Sequence, residues 1–83
     1  MKKKIAILGS TGSIGKNLIN IIEKEKNKFQ IDLISAHKDY NTLLRQVKKF
    51  KVKNIIITDP SSYLILKKKT NNLDVNIFNN YRE

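Results

Sequence analysis

The chain has 83 residues, no cysteine, one histidine and a formal net charge of +10. The lack of Cys excludes disulfides, thiolate metal sites and cysteine nucleophiles, and no apolar run approaches the roughly 18 residues of a membrane span. We therefore expect one small domain, a cytoplasmic location and no membrane partner.

The first half of the chain predicts two strands around a helix. Residues 4–8 form a short apolar run that ends at Gly9, as a buried strand does. The next apolar residues predict a helix from 14 to about 26, with Ser13 as its N-cap. One buried helix face is expected to contain Ile14, Leu18, Ile19, Ile21 and Ile22. Alternating apolar residues then predict a second strand over 29–36.

The second half repeats this alternation. It predicts a helix containing Leu43, Leu44, Val47 and Phe50, a strand over 52–58, a helix that starts after Asp59 and ends near 70, and a strand over 75–78. The order β-α-β-α-β-α-β predicts an α/β fold with a doubly wound, Rossmann-like parallel sheet. A complete sheet of this kind has two such halves. We therefore expect residues 1–83 to be the N-terminal part of a cofactor-binding domain, with further domains absent.

All three glycines lie in one seven-residue stretch between the first strand and the first helix. Gly9, Gly12 and Gly15 have the spacing G-x-x-G-x-x-G. A glycine turn at this junction lets the backbone approach a pyrophosphate and directs helix N–H groups at it. Ser10, Thr11 and Ser13 would add hydroxyl donors for phosphate oxygens. The turn predicts a nicotinamide dinucleotide ligand; a plain strand-to-helix turn in an unrelated α/β domain is the alternative.

The same stretch differs from the P-loop of ATPases and GTPases. That motif requires G-x-x-x-x-G-K-[ST]. Gly15-Lys16 matches its end, but Ser10 replaces the first glycine and Asn17 replaces the magnesium-binding Ser or Thr. We therefore exclude a P-loop enzyme.

The end of the second strand indicates which dinucleotide binds. Enzymes that use NAD usually have Asp or Glu about 20 residues after the turn, where it accepts from the ribose 2′-hydroxyl. Here Ser35 and Ala36 occupy that place, followed by His37 and Lys38. Small and basic residues favour a 2′-phosphate and hence NADPH, although Asp39 comes next. A solvated loop is the alternative interpretation of these residues.

The positive charge has two interpretations. A net charge of +10 is typical of proteins that bind nucleic acid. Nearly all of this charge is lysine, however, and the abundance of Lys, Asn and Ile is typical of AT-rich coding sequence. Base recognition favours arginine, of which there are two. We expect no nucleic-acid partner, and a basic nucleic-acid-binding module stays an alternative function.

Residues 7–15, Ile-Leu-Gly-Ser-Thr-Gly-Ser-Ile-Gly, resemble the N-terminal signature of the 1-deoxy-D-xylulose 5-phosphate reductoisomerase family. The resemblance continues through Ala36 and Lys38 and through segment 52–55, which leads into Asp59. It implies an NADPH-dependent oxidoreductase and isomerase of the non-mevalonate isoprenoid pathway. Such an enzyme converts 1-deoxy-D-xylulose 5-phosphate to 2-C-methyl-D-erythritol 4-phosphate with a divalent metal, Mg or Mn.

The resemblance also implies which residues hold the cofactor. In the family the cofactor is bound by the turn residues that match Thr11, Gly12, Ser13 and Ile14. It is also bound by a Gly-Lys-Asn segment that aligns with His37, Lys38 and Asp39. Of these three, only Lys38 keeps the family residue.

Metal ligands and residues for the phosphorylated sugar substrate lie in later segments of the family. We therefore expect no catalytic or metal-binding residue in this chain and no activity of the fragment alone. The resemblance also implies a homodimeric parent enzyme. Another NADP-dependent enzyme with the same turn, such as a semialdehyde dehydrogenase-like protein, is the alternative.

Overall fold

The computed structural model describes residues 2–25 and 27–81, and within them four strands alternate with three helices. The elements are β1 Lys3–Ile7, α1 Ser13–Lys24, β2 Phe29–Ala36, α2 Tyr40–Phe50, β3 Asn54–Ile57, α3 Pro60–Lys69 and β4 Asn76–Phe78. The predicted order of elements is confirmed. Lys26, the predicted end of the first helix, lies outside the described residues, and α1 ends at Lys24.

The four strands form one parallel sheet in the order β1-β2-β3-β4. Right-handed crossovers that all advance in one direction place the three helices on the same face of the sheet. An ion pair of 2.8 Å between Lys49 and Glu23 joins α2 to α1 on that face. The α/β fold class is therefore confirmed, and the strand order is the winding of one half of a doubly wound sheet.

The core lies between the sheet and the helices and consists mainly of isoleucine, leucine and valine. Its completely buried members include Ile34, Leu43, Ile55, Ile57 and Leu66. Each such side chain contributes about 1.5–3 kcal/mol of transfer free energy. The β-branched run predicted to be a buried strand is confirmed, since the three isoleucines of β3 are at most 5% exposed.

The apolar residues of α1 do not form one buried face. Ile19 is 5% exposed and Ile22 is half-buried, whereas Ile14 is 78% and Ile21 61% exposed. Leu18 also lies on this exposed stripe. The predicted burial is therefore wrong for three residues, because α1 turns the stripe of Ile19 and Ile22 toward the core and leaves the neighbouring stripe without a partner among the described residues.

Candidate functional site

The turn between β1 and α1 adopts the conformation that its glycines permit. Gly9 has φ +68°, a left-handed conformation that glycine adopts without strain. Gly12 is the N-cap of α1, and its carbonyl accepts from the amide of Lys16 at 2.8 Å. The prediction that Ser13 caps the helix is wrong, because Ser13 is already the first helical residue and no side chain caps α1. The amides of its first turn have no intrahelical acceptor, as at any helix start.

Gly15 packs directly on the turn. A Cβ built at this residue would lie 2.2 Å from the Gly9 carbonyl oxygen and 2.6 Å from Ser10 Cα. Gly12 is different, because a Cβ there would meet only the Gly9 oxygen, at an ordinary 3.5 Å. Gly15 is thus required for the close approach of α1 to the turn. Gly12 is exposed, and a side chain could be added there without a clash.

Ser35 in β2 anchors the turn to the sheet. Its carbonyl accepts from Ser10 N at 2.9 Å, and its hydroxyl oxygen accepts from Gly9 N at 3.0 Å. Tyr81, after β4, also donates to that hydroxyl oxygen at 3.0 Å. Sequence reasoning missed both residues: it considered Ser35 only as a missing acid and Tyr81 as part of a polar tail. No sequence signal indicates a contact between residues 46 positions apart.

Ser10 is held from the other side by α2. Its side chain is completely buried, and its hydroxyl donates to Gln46 Oε1 at 2.7 Å. The prediction that this hydroxyl faces a phosphate is therefore wrong, because it points into the protein. Gln46 was missed as well, although a polar residue next to Val47 and three after Leu43, on the apolar face of a predicted helix, is a signal that could have identified it.

The second predicted segment lies at the same edge of the sheet as the turn. His37, Lys38 and Asp39 follow β2, and all three are exposed. His37 Nδ1 and Thr58 Oγ1 share a hydrogen bond of 2.7 Å, which ties the segment to the end of β3. Because β1 and β2 are parallel neighbours, the structure brings the two predicted parts of the site together.

The acidic residues of this edge cap helices. Asp39 is the N-cap of α2 and accepts from Thr42 N at 3.1 Å. Burial opposes its ionisation most, but the hydrogen bonds from Thr42 and the charges of Lys16 and Arg45 together hold the pKa of Asp39 below its ordinary value. Its negative charge is therefore directed at a helix N-terminus and balanced by two cations.

Asp59 is bound in the same way at the start of α3. It accepts from the amide and the hydroxyl of Ser62, both at 2.9 Å. The backbone bond, the side-chain bond and the charges of Lys38 and His37 lower the pKa of Asp59. Both carboxylates at this edge are thus paired with donors of the protein itself.

These caps predict a pH dependence of stability. Since the native pKa values of Asp39 and Asp59 lie below the ordinary 3.8, their contribution is complete above that pH and is lost as pH falls through the native values. We expect the free energy of unfolding to fall less steeply from about pH 5 to about pH 2 in the double variant Asp39→Asn/Asp59→Asn, since Asn caps a helix without titrating. Urea unfolding at a series of pH values measures this, and parallel wild-type and variant curves would contradict it.

Most lysines of the helices lie away from the turn. The last turns contain Lys24 in α1, Lys48 and Lys49 in α2, and Lys67, Lys68 and Lys69 in α3. These helices run antiparallel to the strands, so their C-terminal ends lie at the opposite edge of the sheet, where positive charge stabilises the helix dipole. No first turn of the three described helices contains an acidic residue, which leaves the N-terminus of α1 favourable for an anion.

Residues 2–25 and 27–81 contain no membrane-spanning helix and no cluster of metal ligands. None of the helices there is long and apolar enough to cross a membrane. No group of three or more His, Asp or Glu side chains in that part of the chain lies close enough together to hold a metal ion.

A parallel sheet with a glycine turn at the carboxyl end of its first strand defines a Rossmann-like α/β protein. The profile of the 1-deoxy-D-xylulose 5-phosphate reductoisomerase family matches residues 5–82, and the chain belongs to that family. A reductoisomerase from Pelagibacter ubique is 51% identical over 79 residues, which are 95% of this chain and 20% of that protein. The enzyme from Wolbachia pipientis wMel is 37% identical over 75 residues, which are 90% of this chain and 19% of that protein.

Solved structures agree with this assignment. The reductoisomerase from Zymomonas mobilis in complex with NADPH superposes with a TM-score of 0.87 at 28% identity, covering 94% of this chain and 21% of that one. A reductoisomerase in complex with NADPH, fosmidomycin and magnesium gives 0.86 at 31% identity, covering 92% and 19%. The chain thus spans about a fifth of the length of the relatives it matches.

Proposed function

We propose that this chain is the N-terminal cofactor-binding part of an NADPH-dependent reductoisomerase that converts 1-deoxy-D-xylulose 5-phosphate to 2-C-methyl-D-erythritol 4-phosphate. The observation that carries the proposal is the turn itself. Gly15 packs on the Gly9 carbonyl, and α1 begins just after β1 with first-turn amides that have no intrahelical acceptor. Relatives solved with NADPH support the same ligand.

The residues of the turn fit a pyrophosphate. Gly12, Ser13 and Ile14 are exposed at the N-terminus of α1, where amides and helix dipole both favour an anion. The hydroxyls of Thr11 and Ser13 are further donors. When bound, NADPH supplies the hydride of the reduction. The turn binds and orients the cofactor, and Gly12 provides the space for its phosphates.

The segment after β2 fits the 2′-phosphate. His37 and Lys38 are exposed beside the turn, and neither is engaged by a carboxylate in an ion pair of 4 Å or less among the described residues. Asp39 accepts from Thr42 N at the start of α2, so we propose that it supports the segment as a cap and does not oppose the phosphate. Arg45 and Lys16, whose charges act on Asp39, add to the positive potential.

The rest of the activity is assigned to other parts of the protein. We propose that residues 1–83 belong to a larger NADPH-binding domain and that the Mg or Mn ligands, the sugar-phosphate site and the reacting groups lie outside them. The exposed Leu8, Ile14 and Ile21 support this, since each is at least 61% exposed and such apolar surface favours a covering partner. We further propose a cytoplasmic homodimer, and that the 83-residue chain alone catalyses nothing.

Cofactor preference tests the assignment of His37 and Lys38. We expect the full-length protein to bind NADPH more tightly than NADH. We also expect Lys38→Ala to weaken NADPH about 10- to 100-fold with little change for NADH, because a hydrogen bond to a charged group is worth about 1.5–3 kcal/mol. Isothermal titration calorimetry measures both affinities. Lys68→Ala, an exposed lysine in the last turn of α3, is the matched control. Equal affinities for NADPH and NADH would contradict the assignment of His37 and Lys38 to the 2′-phosphate.

A further inference from the structure

A polar side chain on the buried face of α2 contacts the centre of the glycine turn. Gln46 is 8% exposed and adjoins the core residues Leu43 and Val47. Its Nε2 donates to the Ser10 carbonyl at 2.9 Å, and its Oε1 accepts from the Ser10 hydroxyl at 2.7 Å. One side chain therefore satisfies both the main chain and the side chain of a single turn residue.

The bond to the Ser10 carbonyl bears directly on where α1 begins. In a continuous helix this carbonyl would accept from the amide of Ile14, four residues later. Here the Ser10 carbonyl accepts from Gln46 Nε2 instead. The first hydrogen bond of α1 runs from Lys16 N to the Gly12 carbonyl. The amides of Ser13 and Ile14 belong to the first turn of α1, whose amides have no intrahelical acceptor and are where a helix N-terminus receives an anion.

We infer that Gln46 is a positioning residue for the cofactor pyrophosphate: by holding Ser10 through two hydrogen bonds, it keeps the turn in the conformation that presents the first amides of α1. The inference rests on the proposed function. Both polar atoms of the Gln46 amide are bonded to Ser10. Both side chains are buried, where an amide or hydroxyl without a partner is unfavourable.

A residue that only stabilised the core would behave differently. Its loss would lower the free energy of unfolding and leave the NADPH affinity of the folded protein unchanged. Loss of a positioning residue raises the dissociation constant for NADPH. It leaves kcat at saturating NADPH unchanged, since the reacting groups are elsewhere.

The test uses the full-length protein and the variant Gln46→Met, which keeps the length of the side chain and removes both hydrogen bonds. We expect the dissociation constant for NADPH, measured by calorimetry, to rise at least about tenfold, with kcat within about twofold of wild type. Gln30→Met makes the same chemical change at an exposed residue near the start of β2 and should leave both quantities unchanged.

A second variant keeps the test decisive if Gln46→Met does not fold. Ser10→Ala removes one of the two bonds, and we expect it to weaken NADPH binding by about threefold or more. Where both variants fold, the double variant should bind NADPH about as well as Gln46→Met alone, because residues that act as a pair are not additive.

Each outcome decides the question. Wild-type affinity in the folded Gln46→Met protein, or in Ser10→Ala if that is the variant that folds, would overturn the inference while leaving the proposed function intact. Failure of the wild-type protein to bind NADPH would overturn the proposed function itself, and this inference with it.

Discussion

Replacing Gly15 by alanine should destabilise the protein by about 3 kcal/mol or more and abolish NADPH binding. The added Cβ would lie 2.2 Å from the Gly9 carbonyl oxygen and 2.6 Å from Ser10 Cα. Both atoms belong to the backbone, so no side chain can move aside. The helix and the turn must separate, which also disturbs the bonds of Ser10 to Ser35 and Gln46.

The expected loss of stability is opposite in sign to the usual effect of this substitution. Inside an exposed helix, Gly→Ala normally stabilises by about 0.5–1 kcal/mol. Gly12→Ala is the matched control: its Cβ would meet only one atom, at 3.5 Å, and loss of the glycine N-cap should cost about 1 kcal/mol or less. Urea unfolding of the full-length variants measures both. A Gly15→Ala protein as stable as wild type would contradict the close packing of α1 on the turn.

Replacing Gly12 by leucine should separate binding from stability. Gly12 is exposed, has φ −79° and leaves room for a side chain, so the fold should lose only about 1 kcal/mol for the poorer cap. The leucine would fill the space that the phosphates require. We therefore expect NADPH affinity to fall at least about 100-fold, which corresponds to about 2.7 kcal/mol.

Calorimetry with NADPH and urea unfolding of the same full-length variant provide the two measurements. Lys24→Leu adds the same side chain in the last turn of α1, about 18 Å further along the helix, and should keep wild-type affinity. If the Gly12→Leu protein retains its affinity for NADPH, the turn is not the cofactor site.

The residue pattern predicted the elements because each depends on local properties. The isoleucine run of β3, the helix start after Asp59 and the strand-to-helix position of the three glycines can all be found within short segments. The extent of Phe29–Ala36 was predicted correctly. The second helix was predicted only from its apolar residues, Leu43 to Phe50, and its start at Tyr40 behind the Asp39 cap was not predicted.

The sequence by itself determined the α/β class, the place of the glycine turn between strand and helix and, through residues 7–15, the family. These follow from spacing and from the conformational freedom of Gly9. Only the tertiary structure decided that Ser10 turns inward to Gln46, that Ser35 and Tyr81 anchor the turn, and that Ile14 stays exposed while Ile19 is buried. Hydrogen bonds between residues 26 to 46 positions apart depend on strand order and helix rotation, which leave no local pattern in the chain.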